Sequence, residues 1–458
     1  MCNTLEVHYY LKAICRHIQA ISLMTGALVR KRNSFYLRVC LTISLLILIF
    51  TVLHIDFTHK RFYYELGKFR KSFINQNSES DSTPAQRILR SIKRYNEEQL
   101  IRNDHLFSAL QNDSVVIIVQ VHNRIEYLQH LISSLSQAKN ISSALLIFSH
   151  DYYDENINKM VQSINFCRVL QIFYPYSIQT HVHAFPGEDP NDCPRNLQQN
   201  LAIERQCKNA LHPDSYGHYR EAKFTQTKHH WWWKVNRVFD QLHVTRHHTG
   251  YVLFLEEDHY VAEDFLHVLM LMQKQVETLC PKCNILSLGT YLDSIDEYTL
   301  THPNEVKAMP WISVKHNMAM AMNRSTWLNI RKCANQFCTY DDYNWDWTLL
   351  HISEQCLPEK FHTLVASRPR VFHIGECGLH HEKQSCESDH MVTEVRNVLN
   401  TASQSLQLFP QNITLAFSVG FEPDPFLANG GWGDVRDHHL CLNFTAPSDS
   451  IKSKNSEA

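Results

Sequence analysis

Val115-Val-Ile-Ile-Val-Gln-Val121, followed at once by His122-Asn123-Arg124, is the stretch that decides the fold. An apolar run of strand length without polar alternation is a strand buried on both faces, and such strands belong to parallel sheets covered by helices. Outward from it, residues 124–138 place Tyr127, Leu128, Leu131, Ile132, Leu135 and Ala138 at helical spacing. Ala144-Leu-Leu-Ile-Phe148 is a second buried strand, residues 155–164 a helix and 169–173 a third strand. Tyr251-Val-Leu-Phe-Leu255, a helix over 262–278 and Ile285-Leu-Ser-Leu288 continue the alternation. The pattern predicts an α/β fold of βαβ units, with a mostly parallel, Rossmann-like sheet flanked by helices.

Three of these strands run into polar groups: Gln120-Val121-His122-Asn123-Arg124, Ser149-His150-Asp151 and Glu256-Glu257-Asp258-His259. Ligands of open α/β sheets bind beyond the carboxyl ends of the strands. One polar end alone reads as a turn or helix cap; three together predict a shared crevice. The 44 Lys+Arg against 46 Asp+Glu leave a net charge of -2, which argues against a globally basic nucleic-acid surface. Only 12 residues are Gly, and neither G-x-G-x-x-G nor G-x-x-x-x-G-K-[ST] occurs. A phosphate here must therefore be held by side chains, with or without a metal, rather than by a glycine loop.

The adjacent carboxylates of Glu256-Glu257-Asp258 repel one another and ask for a cation. Hard oxygens suit Mg²⁺ or Mn²⁺, and an added imidazole leans toward Mn²⁺. His373, in Arg370-Val-Phe-His-Ile-Gly375 at a strand end, is a candidate second ligand. In Gln226-Thr227-Lys228-His229-His230-Trp-Trp-Trp-Lys234, Phe224, Trp231, Val235, Val238 and Leu242 share one helical face. Trp231 is then core, and Lys228, His229 and His230 point elsewhere, available to a nucleotide base or phosphates. Asp341-Asp-Tyr-Asn-Trp345-Asp346-Trp347 combines carboxylates with aromatic faces, as sugar sites do. Asp341 or Asp342 reads as a helix cap; Asp346, between two Trp, reads as a base whose semi-apolar flanks keep its pKa high.

At the N-terminus, residues 39–55 are apolar and follow Arg30, Lys31, Arg32 and Arg38. This predicts a single-pass anchor with residues 1–38 cytoplasmic, starting at Met1 or Met24, because no small-residue cleavage site follows. Polar residues 56–113 read as a stem, 114–445 as the catalytic unit and 446–458 as a disordered tail. Sequons at Asn112, Asn140, Asn323, Asn412 and Asn443 and eleven cysteines beyond the anchor fit an oxidising lumen. Proximity pairs Cys193 with Cys207, Cys280 with Cys283 and Cys377 with Cys386, and Cys167 reads as a buried free thiol. Zinc on Cys280 and Cys283 is the rival reading.

Val119-Gln-Val-His-Asn-Arg124, Ile147-Phe-Ser-His-Asp151, Gly217-His-Tyr-Arg-Glu-Ala-Lys-Phe224, the Gln226–Lys234 block, Leu253-Phe-Leu-Glu-Glu-Asp-His-Tyr260, Cys338-Thr-Tyr-Asp-Asp-Tyr-Asn-Trp-Asp-Trp347 and Asn429-Gly-Gly-Trp-Gly-Asp434 together resemble the N-acetylglucosaminyltransferase II family. The resemblance spans residues 114–442. It implies a GT-A glycosyltransferase fold, UDP-GlcNAc as donor, Mn²⁺ as cofactor and, as acceptor, the 2-hydroxyl of the α1,6-arm mannose of an N-glycan on a glycoprotein. It implies a Golgi membrane protein of single-pass type II. Asp258 and His373 would hold the metal, and Asp346 would be the catalytic base. Gln120, Val121, His122, Asn123, Arg124, Asp151, Gln226, Thr227, Lys228, His229 and His230 would line the donor. Asp214, Asn317 and Trp345 would lie on the acceptor side. The resemblance also implies the pairs Cys333–Cys356 and Cys338–Cys441. The long N-terminal tail and Ile374-Gly-Glu376 depart from the family pattern. A sibling β1,2-GlcNAc transferase with another mannose acceptor, or a non-catalytic glycan-binding relative, are the rivals. A zinc hydrolase lacks its H-E-x-x-H. Both monomer and homodimer are open.

Overall fold

The computed structural model describes residues 83–291, 295, 297–375, 388–416 and 427–445. The expected anchor at 39–55, the first part of the stem, the Cys377–Cys386 pair and the C-terminal tail lie outside them. Among the described residues no helix is long and apolar enough to cross a membrane.

The compact unit starts at Thr83, not at Ser114. Helix α1 (Pro84–Glu98) occupies what reads as linker. Thr83 and Gln86 form a reciprocal capping box, with Pro84 already set at a helical φ. Only Ile92 of α1 is fully buried, so the helix looks like stem in sequence. Asn96 ties it to the sheet through both the amide and the carbonyl of Phe173.

The elements then run β1 (Val116–Val121), α2 (Ile125–Gln137), β2 (Leu145–His150), α3 (Glu155–Gln162), β3 (Arg168–Phe173), α4 (Gln199–Arg205) and α5 (Ala222–Asn236). They continue β4 (Val252–Glu256), β5 (His259–Val261), α6 (Phe265–Leu279), β6 (Ile285–Ser287), β7 (Glu305–Pro310), β8 (Met320–Met322), α7 (Arg324–Lys332) and α8 (Ala334–Thr339). Last come α9 (Trp345–Gln355), β9 (His362–Ala366), β10 (Val371–His373), α10 (Ser388–Gln404), β11 (Thr414–Leu415) and α11 (Val435–Phe444).

Among the described residues one sheet has the order β11-β7-β9-β6-β8-β4-β1-β2-β3, and β5 and β10 form a separate antiparallel pair. Five of the large sheet's eight pairings are parallel. The parallel block β4-β1-β2-β3 is the half that the apolar runs announce. Along β1 the side chains alternate between two cores. Ile117, Val119 and Val121 pack with Leu128, Leu131, Phe265 and Leu269 on one face. Val116 and Ile118 pack with Trp231, Trp232, Leu349 and Ile352 on the other. Each such fully buried Val, Ile or Leu contributes on the order of 1.5–3 kcal/mol, and both faces are filled, giving a three-layer helix–sheet–helix sandwich.

Disulfides join Cys193–Cys207, Cys280–Cys283, Cys333–Cys356 and Cys338–Cys441, as expected, and Cys167 is free and buried. The bridge at Cys280–Cys283 takes the place of the zinc reading there. The Cys338–Cys441 bridge ties α11 to the segment before α9 across 103 residues.

Candidate active site

The parallel register sets Gln120 beside Ser149 and Glu256, so the carboxyl ends of β1, β2 and β4 meet. Side chains stitch them together. The backbone amide of His122 donates to Glu257 Oε2 at 2.9 Å. Arg124 gives Nε to Glu257 Oε1 at 2.7 Å and Nη1 to Asp258 Oδ2 at 2.8 Å. His122 Nδ1 lies 2.6 Å from Asp151 Oδ1. Burial alone would raise the Asp151 pKa, but the His122 and His230 rings outweigh it and hold the carboxyl far below the usual range. Val121 is fully buried in the core and Asn123 is exposed at the rim.

Helix α5 divides its polar residues between two sides. Gln226 donates to Asp151 Oδ2 at 3.2 Å and accepts from the Ile178 amide at 2.7 Å. His230 meets Ser149 Oγ at 2.8 Å, and Thr227 is half-buried nearby. Lys228 and His229 do not present themselves to the crevice as the helical spacing suggests. Both are fully buried. The Lys228 ammonium donates to the carbonyls of Asp342 (2.8 Å) and Tyr340 (3.1 Å) and lies 4.3 Å from the Trp432 ring centroid. Burial pulls its pKa down to about 7. His229 Nε2 bonds Asp437 Oδ1 at 2.9 Å. The sequence pattern missed this because α5 is enclosed on all sides, and its polar residues are satisfied by distant chain segments.

The pairing of β5 with β10 sets His373 opposite His259 and brings it to Asp258, 115 residues earlier in the chain. Nε2 of His373 lies 3.2 Å from Asp258 Oδ2. Burial would raise the Asp258 pKa, but His373 and Arg124 hold it below its usual range. Oδ1 of Asp258 is buried with no hydrogen-bond partner. Gly375 packs against this carboxylate so closely that a Cβ there would stand 2.5 Å from Oδ2. An orphaned carboxylate oxygen beside an imidazole is a donor set that fits a divalent cation. Among the described residues no cluster of three or more His, Cys, Asp or Glu side chains is arranged to hold a metal. A cation here would take two protein ligands and leave most of its sphere to the substrate and water.

Asp346 is half-buried in the first turn of α9. Desolvation pushes its pKa up to about 6, against the backbone amides and Asn317, which favour the ionised form. Asn317 Nδ2 donates to Asp346 Oδ2 at 3.0 Å. Trp345 is buried and stacks on Trp231, with centroids 4.7 Å apart and planes at 4°.

Asp341 and Asp342 are not helix caps. Asn344 takes the N-cap position of α9 without a side-chain hydrogen bond. Asp342 Oδ2 accepts from the Asn429 amide at 2.9 Å, and Asp341 takes the amides of Ser215 (2.6 Å) and Trp432 (3.0 Å). Asp214 does the same, accepting from Tyr216, His218 and Gly431 amides. Together they pin the Asn429–Asp434 strap, in which Gly430 has φ +75° and leaves room for the Asp214 carboxylate.

Two residues escaped the sequence reading. Tyr291 has its ring centroid 6.2 Å from that of His373, and the carboxylates of Glu256, Asp346 and Asp258 add to burial in raising its pKa. It stands in a stretch without motif or periodicity. Lys234 is buried, and its ammonium donates to Gln120 Oε1.

A family model described as N-acetylglucosaminyltransferase II matches residues 89–441. Among curated proteins, the chain is 45% identical over 349 residues to the alpha-1,6-mannosyl-glycoprotein 2-beta-N-acetylglucosaminyltransferase of Sus scrofa, covering 76% of this chain and 77% of that one. The protein of that name from Rattus norvegicus is 46% identical over 76% of this chain and 78% of its own. The one from Arabidopsis thaliana is 36% identical over 75% and 77%. Among solved structures, a mannosyltransferase from Pyrobaculum calidifontis in complex with GDP-Man and Mn²⁺ aligns at TM-score 0.28 and 10% identity, over 62% of this chain and 65% of that one.

Proposed function

The chain belongs to the N-acetylglucosaminyltransferase II family, and from that premise we propose that the crevice transfers GlcNAc from UDP-GlcNAc to the 2-hydroxyl of the α1,6-arm mannose of N-glycans, in a GT-A arrangement of the mixed sheet. The single observation that carries the reading is the Asp258–His373 pair, brought together from 115 residues apart at the strand ends with Oδ1 of Asp258 buried and without a hydrogen-bond partner.

Asp346 is the base. A carboxyl with a pKa near 6 is ionised at neutral pH and still basic enough to take a hydroxyl proton as the new bond forms. Asn317 fixes its orientation, and the Trp231–Trp345 stack fixes the start of α9. The mannose oxygen forms its bond to C1 of GlcNAc, the C1–O bond to UDP breaks with its electron pair leaving on the diphosphate, and the proton passes to Asp346. One displacement turns an α-linked donor into a β1,2 product. Arg124, Glu257 and Asp258 form a fixed charge array under the donor, preorganised before substrate arrives. Mn²⁺ is the cofactor of this reading, with Asp258 and His373 to hold it and neutralisation of the leaving diphosphate as its contribution. The same reading anchors the chain in the Golgi membrane by residues 39–55, with the catalytic unit in the lumen.

An acceptor panel tests the assignment. A glycan whose α1,6-arm mannose is free and whose other arm already carries GlcNAc is expected to be used. Preference for any other mannose acceptor would instead make this a sibling transferase.

A further inference from the structure

Lys234 closes the last turn of α5 with 2% exposure, on the face of the sheet where Gln120 leaves β1. Its ammonium donates to Gln120 Oε1, with the carboxylates of Glu256 and Asp151 near enough to oppose the discharging effect of burial. A buried lysine is an expensive way to fill space, since a methionine would pack there without the desolvation cost. An ammonium differs from any apolar filler in having only donors. A glutamine carboxamide has an acceptor end and a donor end, which exchange by a half-turn. A neighbour that can only donate selects the oxygen and turns the Nε2 amide the other way. Gln120 is half-buried at the carboxyl end of β1, between Ser149 and Glu256 of the neighbouring strands.

The geometry points to Lys234 as a specificity-determining positioning residue, which locks Gln120 so that its Nε2 amide faces the crevice and recognises a hydrogen-bond acceptor of the donor nucleotide. This rests on the donor reading of the crevice given above. Lys234 itself touches no substrate.

The test is titration calorimetry of UDP in the presence of Mn²⁺ on the full-length protein and on Lys234→Met and Gln120→Glu, with steady-state kinetics beside it. Lys234→Met is expected to keep or raise the Tm, because a buried charge is removed, while the UDP Kd weakens about tenfold, the scale of one hydrogen bond. The KM for UDP-GlcNAc should rise in step, with the acceptor KM unchanged and kcat at saturating donor within about twofold. A lower Tm with unaltered UDP binding would make Lys234 merely structural and overturn the proposal. Gln120→Glu keeps the lysine paired but has no N–H to offer, so it should weaken UDP at least as much. Wild-type affinity in that variant would overturn the proposal even if Lys234→Met fails to fold. A wild-type protein that binds no UDP would instead sink the donor reading itself.

Discussion

Asn317 donates from Nδ2 to Oδ2 of Asp346 at 3.0 Å, a side-chain hydrogen bond that favours the ionised form of a carboxyl that burial holds near pKa 6. The active species is the carboxylate, so kcat/KM is expected to fall as pH drops through about 6. Asn317→Ala removes support for the charged form and should move that acidic limb to higher pH. A pH–rate profile with its limb near 4 in the wild type would show that Asp346 is not the titrating base.

Asp346→Asn should lose roughly 10²–10⁴-fold in transfer while UDP still binds. Its stability should move the other way. The folded pKa lies above the unfolded value of about 3.9, so the ionised carboxyl costs stability above about pH 6, and this cost vanishes below about pH 4. The amide variant is therefore expected to melt higher than wild type at pH 7 and alike at pH 4. Thermal melts at the two pH values check it.

His373 should report through nucleotide binding rather than through the fold. Asp258→Ala and His373→Ala are each expected to abolish the Mn²⁺ dependence of UDP affinity measured by calorimetry. Asp258 Oδ2 also pairs with Arg124, so Asp258→Ala should lower the ligand-free Tm as well, whereas His373→Ala should change it little. A His373→Ala protein that melts lower but binds UDP–Mn²⁺ normally would make His373 structural.

Much of the architecture could be read in advance because β1, β2 and β4 bury both faces, and Val115-Val-Ile-Ile-Val allows no amphipathic helix. The antiparallel half was not legible. In Glu305–Pro310 only Val306 is fully buried, so this strand carries neither an apolar run nor clean alternation. His259-Tyr-Val261 falls between the strand over 251–255 and the helix over 262–278 and is given no element in the sequence reading, since three buried residues carry no period of their own. The chemistry at the strand ends was legible because carboxylates and histidines are rarely gathered there without cause. The partners of Lys228, Asp341 and Asp342 were not. Each takes a partner from chain between 87 and 126 residues away, and local patterns carry no information about such contacts.

Asp437 tests how far distant chain segments hold α5 in place. It is fully buried, takes Arg220 Nε at 2.7 Å and Nη2 at 3.1 Å, and holds His229 at 2.9 Å. Asp437→Ala strands the buried Arg220 charge and should destabilise by about 3–5 kcal/mol. Urea unfolding measures this, and a loss below about 1 kcal/mol would mean that the pair is screened as a surface pair is.

The central claim is answered most directly by the linkage of the product. Purified protein is incubated with UDP-GlcNAc, Mn²⁺ and a defined N-glycan bearing GlcNAc on its α1,3 arm, and the product is solved by NMR. The account predicts a single new GlcNAc, β-linked to O2 of the α1,6-arm mannose. An α-linkage, a different hydroxyl or no transfer at all would contradict it.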